Sequence, residues 1–225
     1  MEALPETMKQ ALGLADMASI VSGDVIRIEA WLSMEYFSWL PLLLGIYAIF
    51  FGSGLVARDA ERGALEFLLS QPVRRSQVVL AKSLVFLAVL AAIMAASVVG
   101  MLMGAALMGQ SLSVANLLLA HLQAFVLVVA VAAYASLFSV LFLNNSRALM
   151  LSGLLTAAMY ILNFMGPSLG SFQWLQKLTF FYYYQALPIL LAGQLHIAGL
   201  ALHAGAAGAA LAAAALLFER RDIVP

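Results

Sequence analysis

The sequence predicts an all-helical protein that lies in a membrane and crosses it about five times. Of the 225 residues, 64% are hydrophobic and 10% are charged, whereas a soluble domain has roughly 25% charged residues. In addition, no Asp, Glu, Lys or Arg occurs between residues 83 and 146, a stretch far longer than the ~20 residues that one membrane helix needs. Such a chain lacks the charged surface of a soluble enzyme and the basic patch of a nucleic-acid-binding protein, so both classes are excluded.

Five uncharged or nearly uncharged segments are long enough to be membrane helices. The charge-free stretch divides at the weakly polar residues 108–116. A later segment ends at Gly166-Pro167, because glycine and proline stop helices. The predicted spans are residues 38–57, 83–107, 117–143, 148–167 and 198–218.

Residues 168–197 are apolar, but the pattern is interrupted. The aromatic run 180–184 contains tyrosines, which favour the headgroup level of a bilayer. Pro188 and Gly193 then break what would otherwise be a further helix. We therefore expect an outer re-entrant or interfacial segment here, and a sixth span is the alternative interpretation.

Lys and Arg are unevenly divided between the two sides of a five-span arrangement. Eight lie on one side and three on the other, and the side with more of them stays in the cytoplasm. The cytoplasmic group is Arg58, Arg62, Arg74, Arg75, Lys82, Arg147, Arg220 and Arg221, and the outer group is Lys9, Arg27 and Lys177. The sequence thus predicts a multi-pass protein of the plasma (cytoplasmic) membrane, with residues 1–37 as an extracytoplasmic N-terminal segment and residues 38–225 as the membrane domain.

The longest predicted cytoplasmic connection, residues 58–82, contains a short amphipathic helix. Its leucines recur at helical spacing, and its charged side chains fall mostly on the other faces. Pro72 ends this helix and Ser76 caps the next one, which enters the membrane past Lys82. The segment is either a plain interfacial helix or a docking surface for a cytoplasmic partner.

The same connection resembles the signature of permease subunits of type-2 ATP-binding-cassette (ABC) transporters. The family pattern is an acidic pair, Gly-Thr-Leu-Glu, an apolar turn, Pro-Val-Ser-Arg and an apolar step to Lys. The matching residues here are Glu61, Gly63, Leu65, Glu66, Leu68, Leu69, Pro72, Val73, Arg75 and Lys82. Asp59, Ala64 and Arg74 depart from the pattern, since the family usually has Glu, Thr and Ser at these positions. The ending FERRDI, residues 218–223, also resembles the family's C-terminus.

This resemblance implies the transmembrane permease subunit of an ATP-driven exporter, with residues 38–225 as its permease domain. It implies two protein partners, namely a cytoplasmic ABC ATPase subunit that holds ATP and Mg²⁺, and a second permease subunit that is identical or different. The residues expected to couple to the ATPase are Asp59, Glu61, Arg62, Gly63, Leu65, Glu66, Pro72, Arg75 and Lys82. Because family members have six spans, the chain is also expected to lack the family's first helix.

Catalytic chemistry of its own is not expected in this chain. It has no phosphate-binding loop of the form GxxxxGK[ST], so ATP hydrolysis and its cofactor are assigned to the partner subunit. Cysteine is absent, which excludes thiolate metal sites. The three histidines are not spaced as metal ligands and are interpreted as interfacial polar residues: His121, His196 and His203.

Two alternatives to a transport subunit stay open at this point. One is a membrane scaffold or degenerate permease that transports nothing. The other is an intramembrane hydrolase that pairs a histidine with one of the serines within the spans, Ser97, Ser136, Ser139 or Ser152. No residue indicates which substrate a transporter of this sequence would carry.

Overall fold

The computed structural model describes residues 21–22, 25–64 and 75–220, and of residues 21–22 and 25–26 it describes the backbone. This part of the chain begins with two short strands of two residues each. β1 (Val21–Ser22) pairs antiparallel with β2 (Val25–Ile26). The helices that follow are α1 (Ile28–Leu32), α2 (Leu40–Ser53), α3 (Ala57–Glu61), α4 (Arg75–Leu107), α5 (Val114–Phe142), α6 (Asn145–Met165), α7 (Ala186–Ala192) and α8 (Ile197–Arg220). A π-helical turn, Ser33–Phe37, joins α1 to α2, and 3-10 turns cover Gly166–Ser168, Gly170–Leu178 and Phe180–Tyr183.

Five helical segments in the described part of the chain are long and apolar enough to cross a membrane. They are Ile28–Ser53, Arg75–Leu107, Val114–Phe142, Asn145–Ser168 and Ile197–Arg220. The all-helical, five-span fold predicted from the sequence is therefore confirmed.

The first span begins at Ile28, whereas the sequence places its start at Ser38. Glu29 and Glu35 make this region look polar, but Glu29 forms an ion pair with Arg27 at 3.4 Å and Glu35 is exposed. Phe37 is fully buried. The predicted boundary between residues 37 and 38 therefore falls inside a continuous helical span.

Helix α5 is the centre of the bundle and packs against α2, α4, α6, α7 and α8. Its inward positions are mostly alanine and valine, and small side chains let helix backbones approach each other closely. The backbones of α2 and α5 approach closely at Gly52 of α2, where an added Cβ would lie 2.5 Å from the Ala132 carbonyl oxygen and 2.7 Å from the Ala135 Cβ. Only glycine fits this crossing without displacing α5.

The interrupted segment between α6 and α8 consists of 3-10 turns and the short helix α7. Gly193 ends α7 in the left-handed conformation, with φ of +66°. Its N–H donates to the carbonyl of Ile189 at 2.8 Å, which closes the last turn. The interruption predicted from the aromatic run, Pro188 and Gly193 is confirmed in place of a sixth long helix.

The spans alternate in direction, so their ends collect at two faces of the bundle. We call one face the elbow end, where α2, α5 and α8 finish and α4 and α6 begin. The other face, which carries residues 108–113 and 166–196, is called the opposite end. The assignment of the elbow end to the cytoplasm remains a prediction from the charge distribution.

Candidate functional site

The candidate site is the elbow, defined here as residues 54–64 and 75–82. The chain leaves α2 through a turn at Gly54, where an added Cβ would lie 2.7 Å from the Arg58 guanidinium. Because glycine leaves this space open, Arg58 folds back and its Nη2 donates to the Phe50 carbonyl at 3.2 Å. A cation thus satisfies a carbonyl in the last turn of α2.

The start of α3 is fastened to the central helix α5. The Ser139 hydroxyl oxygen accepts hydrogen bonds from the N–H groups of Val56, at 3.0 Å, and Ala57, at 2.9 Å. All three residues are almost completely buried. The free N–H groups at a helix start need acceptors, and here one side chain from another span supplies them.

Asp59 and Lys82 connect α3 to α4. The Lys82 ammonium forms an ion pair with the Asp59 carboxylate and also donates to the Leu55 carbonyl at 2.8 Å. The Lys82 side chain is 33% exposed and that of Asp59 is 22% exposed. Asp59 is therefore directed at α4 rather than outward.

Glu61 connects α3 to α6. Its carboxylate accepts a hydrogen bond at 2.9 Å from the N–H of Asn145, the first residue of α6. Asn144 adds a side-chain cap to the same helix start, because its amide oxygen accepts from the Arg147 N–H at 2.9 Å. A negative charge beside a helix N-terminus is favourable, so Glu61 stabilises this junction while staying exposed.

Arg62 and Gly63 form the outer surface of the elbow. Both are exposed, and Gly63 has φ of +69°, with open space where a Cβ would be. Its N–H donates to the Ala60 carbonyl at 3.2 Å and ends α3. Among the described residues, nothing covers this surface, so a partner protein can reach it.

Arg75 connects the start of α4 to the end of α8. Its Nη1 donates to the Phe218 carbonyl at 3.4 Å, and its guanidinium carbon lies 5.8 Å from the centre of the Phe218 ring. Phe218 is fully buried in a cluster that also contains Leu55, Val79 and Val140. A cation near the C-terminus of α8 is favourable, and the ring contact adds to it.

The structure therefore brings together six of the nine residues predicted to couple to a partner. The six residues that lie in the elbow are Asp59, Glu61, Arg62, Gly63, Arg75 and Lys82. The other three lie outside the described residues, namely Leu65, Glu66 and Pro72.

Two further residues contribute to this site: Asn145 was missed from the sequence, and Ser139 was named there only as a candidate hydrolase serine. A serine in a charge-free span gives no sign of its partner, whereas the Asn144-Asn145 pair at the start of α6 is a recognisable helix-start signal.

Toward the opposite end, a hydrogen-bonded chain joins three spans. The Tyr36 hydroxyl bonds with the Ser97 hydroxyl, which lies 3.2 Å from Nε2 of His121. Nδ1 of His121 lies 2.9 Å from the Leu117 carbonyl oxygen, so this nitrogen carries the proton. His121 is 3% exposed, so its ring lies inside the bundle with hydrogen-bond partners at both nitrogens, and its position at the membrane interface stays a prediction.

His203 also lies inside the bundle, but one of its ring nitrogens, Nδ1, has no hydrogen-bond partner among the described residues. It is fully buried, and its Nε2 lies 3.0 Å from the Phe180 carbonyl oxygen. Within the described residues, no group of three or more His, Cys, Asp or Glu side chains is placed to hold a metal ion.

The serines in the spans do not assemble a hydrolase site. Ser136 and Ser152 donate to carbonyls of their own helices, Ala132 and Ala148, each at 2.7 Å. Ser97 does face a histidine, but it lies in the interior of α4, where the neighbouring N–H groups are used by the helix. Among the described residues, the N–H groups next to Ser97 are therefore not free to stabilise an oxyanion, as acyl transfer requires.

The five-span bundle and its elbow define the class, which is a multi-pass membrane protein with a short helix fastened across the ends of its spans. A family model described as ABC-2 family transporter protein matches residues 3–223, nearly the whole chain. The chain belongs to this family. Comparisons with curated proteins and with solved structures give no match.

Membership in this family makes the chain a membrane component of a transporter. It supports a role as a transport permease and implies partnership with an ABC ATPase subunit. The resemblance found in residues 58–82 is thus confirmed at the level of the family.

Proposed function

We propose that this chain is the permease subunit of an ATP-driven exporter in the plasma membrane. A separate ATPase subunit, which holds ATP and Mg²⁺, binds at the elbow. Two permease subunits, identical or different, pair with two ATPase subunits in the complete transporter. ATP binding and hydrolysis in the partner move the elbow, and the spans follow.

The observation that carries this proposal is the set of contacts around α3. This five-residue helix is fastened to α5 by Ser139, to α4 by the Asp59–Lys82 pair and to α6 by Glu61. Arg58 holds it to the end of α2. A displacement of α3 therefore acts on four helices at once, which suits a part that transmits movement.

The outer surface of the elbow supplies the contact with the ATPase. Arg62 and Gly63 are exposed there, and Glu61 is exposed beside them. We assign Arg62 to the contact, because its charge is on the surface while Asp59 is used internally. Glu66 belongs to the same predicted surface, although it lies outside the described residues.

The mechanism follows from differential binding. A bound nucleotide shifts the permease between two conformations only to the extent that the ATPase holds the elbow differently in each. The contacts of Ser139 and Lys82 then transfer this difference from α3 to α5 and α4. Reversing the charges of Glu61 and Glu66 is expected to uncouple ATP hydrolysis from transport while the spans stay folded.

Docking of the ATPase at the elbow is tested by reversing the charge of one exposed residue there. The same kind of reversal at the opposite end of the bundle is the control. Arg62→Glu should reduce co-purification of an ABC ATPase subunit from the same genome and abolish the effect of the permease on its ATPase rate. Lys177→Glu is the control, since Lys177 is exposed near the opposite end of the bundle. Equal binding and ATPase rates in both variants and the unaltered chain would contradict the docking assignment.

A further inference from the structure

A cleft at the opposite end of the bundle has no role in the elbow mechanism. It lies between the first span, the last turns of α6 and the segment before and within α7, and its volume is about 440 Å³. The π-helical turn contributes Ser33 and Phe37, α6 contributes Asn163 and Phe164, and Tyr184 and Gln185 come from the interrupted segment.

The lining of this cleft is uncharged but able to form hydrogen bonds. No Asp, Glu, Lys or Arg lines it among the residues that the structure describes. The side-chain amides of Asn163 and Gln185 make no hydrogen bond within that part of the chain, so their donors and acceptors are open to a ligand. Burial raises the pKa of the Tyr184 phenol well above its usual value, which keeps this group neutral.

Aromatic rings form the apolar side of the same cleft. Phe181 is buried, and its ring meets the ring of Tyr160 edge-on, with 5.3 Å between the ring centres. Phe164 is 77% exposed and extends the apolar surface toward the outside. Rings of this kind provide large rigid contact area for an apolar ligand surface.

The wall that carries Phe181 and Tyr184 is held in place from two spans. Nε2 of Gln123, on α5, donates to the Tyr183 carbonyl at 2.7 Å. Nε2 of His203, on α8, lies 3.0 Å from the Phe180 carbonyl oxygen. Because both side chains are fully buried, the shape of the cleft is set before any ligand arrives.

We propose that this cleft binds the transported molecule, and that this molecule is an uncharged amphipath that carries hydroxyl groups. A charged group would lose water here without gaining a partner of opposite charge, which is costly. A hydroxylated head group, by contrast, finds the amides of Asn163 and Gln185, while its apolar part packs on the phenylalanine rings. The transport part of this assignment rests on the proposed function, whereas the binding part does not.

The test uses photoreactive single-chain amphipaths that differ in the head group. An octyl glucoside with a diazirine in its alkyl chain is compared with the same chain bearing a carboxylate or a trimethylammonium group. The full chain in lipid nanodiscs is labelled with and without its ATPase subunit, and the labelled peptides are mapped. The glucoside should label residues 160–164 and 181–188 preferentially, and unlabelled octyl glucoside should compete with it.

Variants of the two amides then test the site itself. Asn163→Leu and Gln185→Leu should each weaken competition by octyl glucoside about threefold to tenfold, the loss expected for one net hydrogen bond. Gln110→Leu is the control, because Gln110 is exposed at the same end of the bundle but does not line the cleft.

Equal labelling by all three head groups, stronger labelling by a charged one, or unchanged competition in both amide variants would overturn the proposal. Labelling of the cleft does not require ATP or the ATPase subunit. A failure of the ATPase to bind the elbow would therefore leave the labelling result unchanged, and the two proposals can fail independently.

Discussion

Replacing Ser139 with alanine tests how firmly the elbow is fastened to the centre of the bundle. The change removes the one acceptor that the structure gives to the N–H groups of Val56 and Ala57. Both residues are at most 1% exposed, so water cannot replace the lost partner without local opening. A buried donor left without an acceptor costs about 1–3 kcal/mol, so two such donors cost roughly 2–6 kcal/mol.

Hydrogen exchange of the backbone amides measures this cost directly. Amides exchange through local opening, whose free energy the substitution lowers by the amount above. Since 1.4 kcal/mol corresponds to about a tenfold change in an equilibrium constant, exchange in residues 55–61 should become about 30-fold to 20,000-fold faster. Exchange in the middle of α5 should change far less, because the substitution leaves the packing of that helix in place.

Ser136→Ala is the matched control on the same helix. Ser136 is 2% exposed and its hydroxyl donates to the Ala132 carbonyl within α5 at 2.7 Å, so its loss leaves no elbow donor unpaired. The elbow amides should exchange in this variant as they do in the unaltered chain. If Ser139→Ala exchanged no faster than Ser136→Ala, the fastening of α3 to α5 would be refuted.

Three other positions give predictions with clear directions. Gly52→Val should prevent the bundle from folding in a membrane, because its Cβ would collide with the Ala132 carbonyl. At Gly100 an added Cβ meets open space, so Gly100→Ala should raise the free energy of unfolding by up to about 1 kcal/mol. The yield of monodisperse protein should therefore fall for Gly52→Val and be maintained for Gly100→Ala. Gln123→Leu should lower the free energy of unfolding by about 1–2 kcal/mol, since it leaves the Tyr183 carbonyl without its partner. An unchanged thermal midpoint would contradict this role of Gln123.

Composition and hydropathy were enough to predict the five spans, because membrane helices are defined by length and by the absence of charge. The interruption at Pro188 and Gly193 was predictable for a similar reason, since both residues act on the local backbone. The start of the first span was not predictable in this way, because the pairing of Glu29 with Arg27 and the exposure of Glu35 allow two acidic residues within it. Local pattern thus predicts where helices exist better than where they begin.

The interior of the elbow depends on contacts between residues far apart in the chain. Asp59 looks like a surface charge in the sequence, and only the position of Lys82 on α4 turns it inward. Likewise, the partner of Ser139 lies about 80 positions away, at Val56, which no local pattern indicates. The motif in the sequence was therefore enough to predict that this segment couples to a partner. The contacts of its side chains could be found only from the three-dimensional structure.

Site-specific cross-linking tests the central claim, which is that a separate ATPase subunit binds at the elbow. The chain contains no cysteine, so a single Arg62→Cys can carry a photoreactive maleimide at the elbow surface, and Leu107→Cys, 88% exposed at the opposite end, is the matched control. Irradiation of the assembled transporter should cross-link the ATPase subunit to the probe at position 62. The probe at position 107 should not cross-link to the ATPase subunit. Cross-linking at position 107 alone, or at neither position in a complex that still contains the ATPase, would contradict the account.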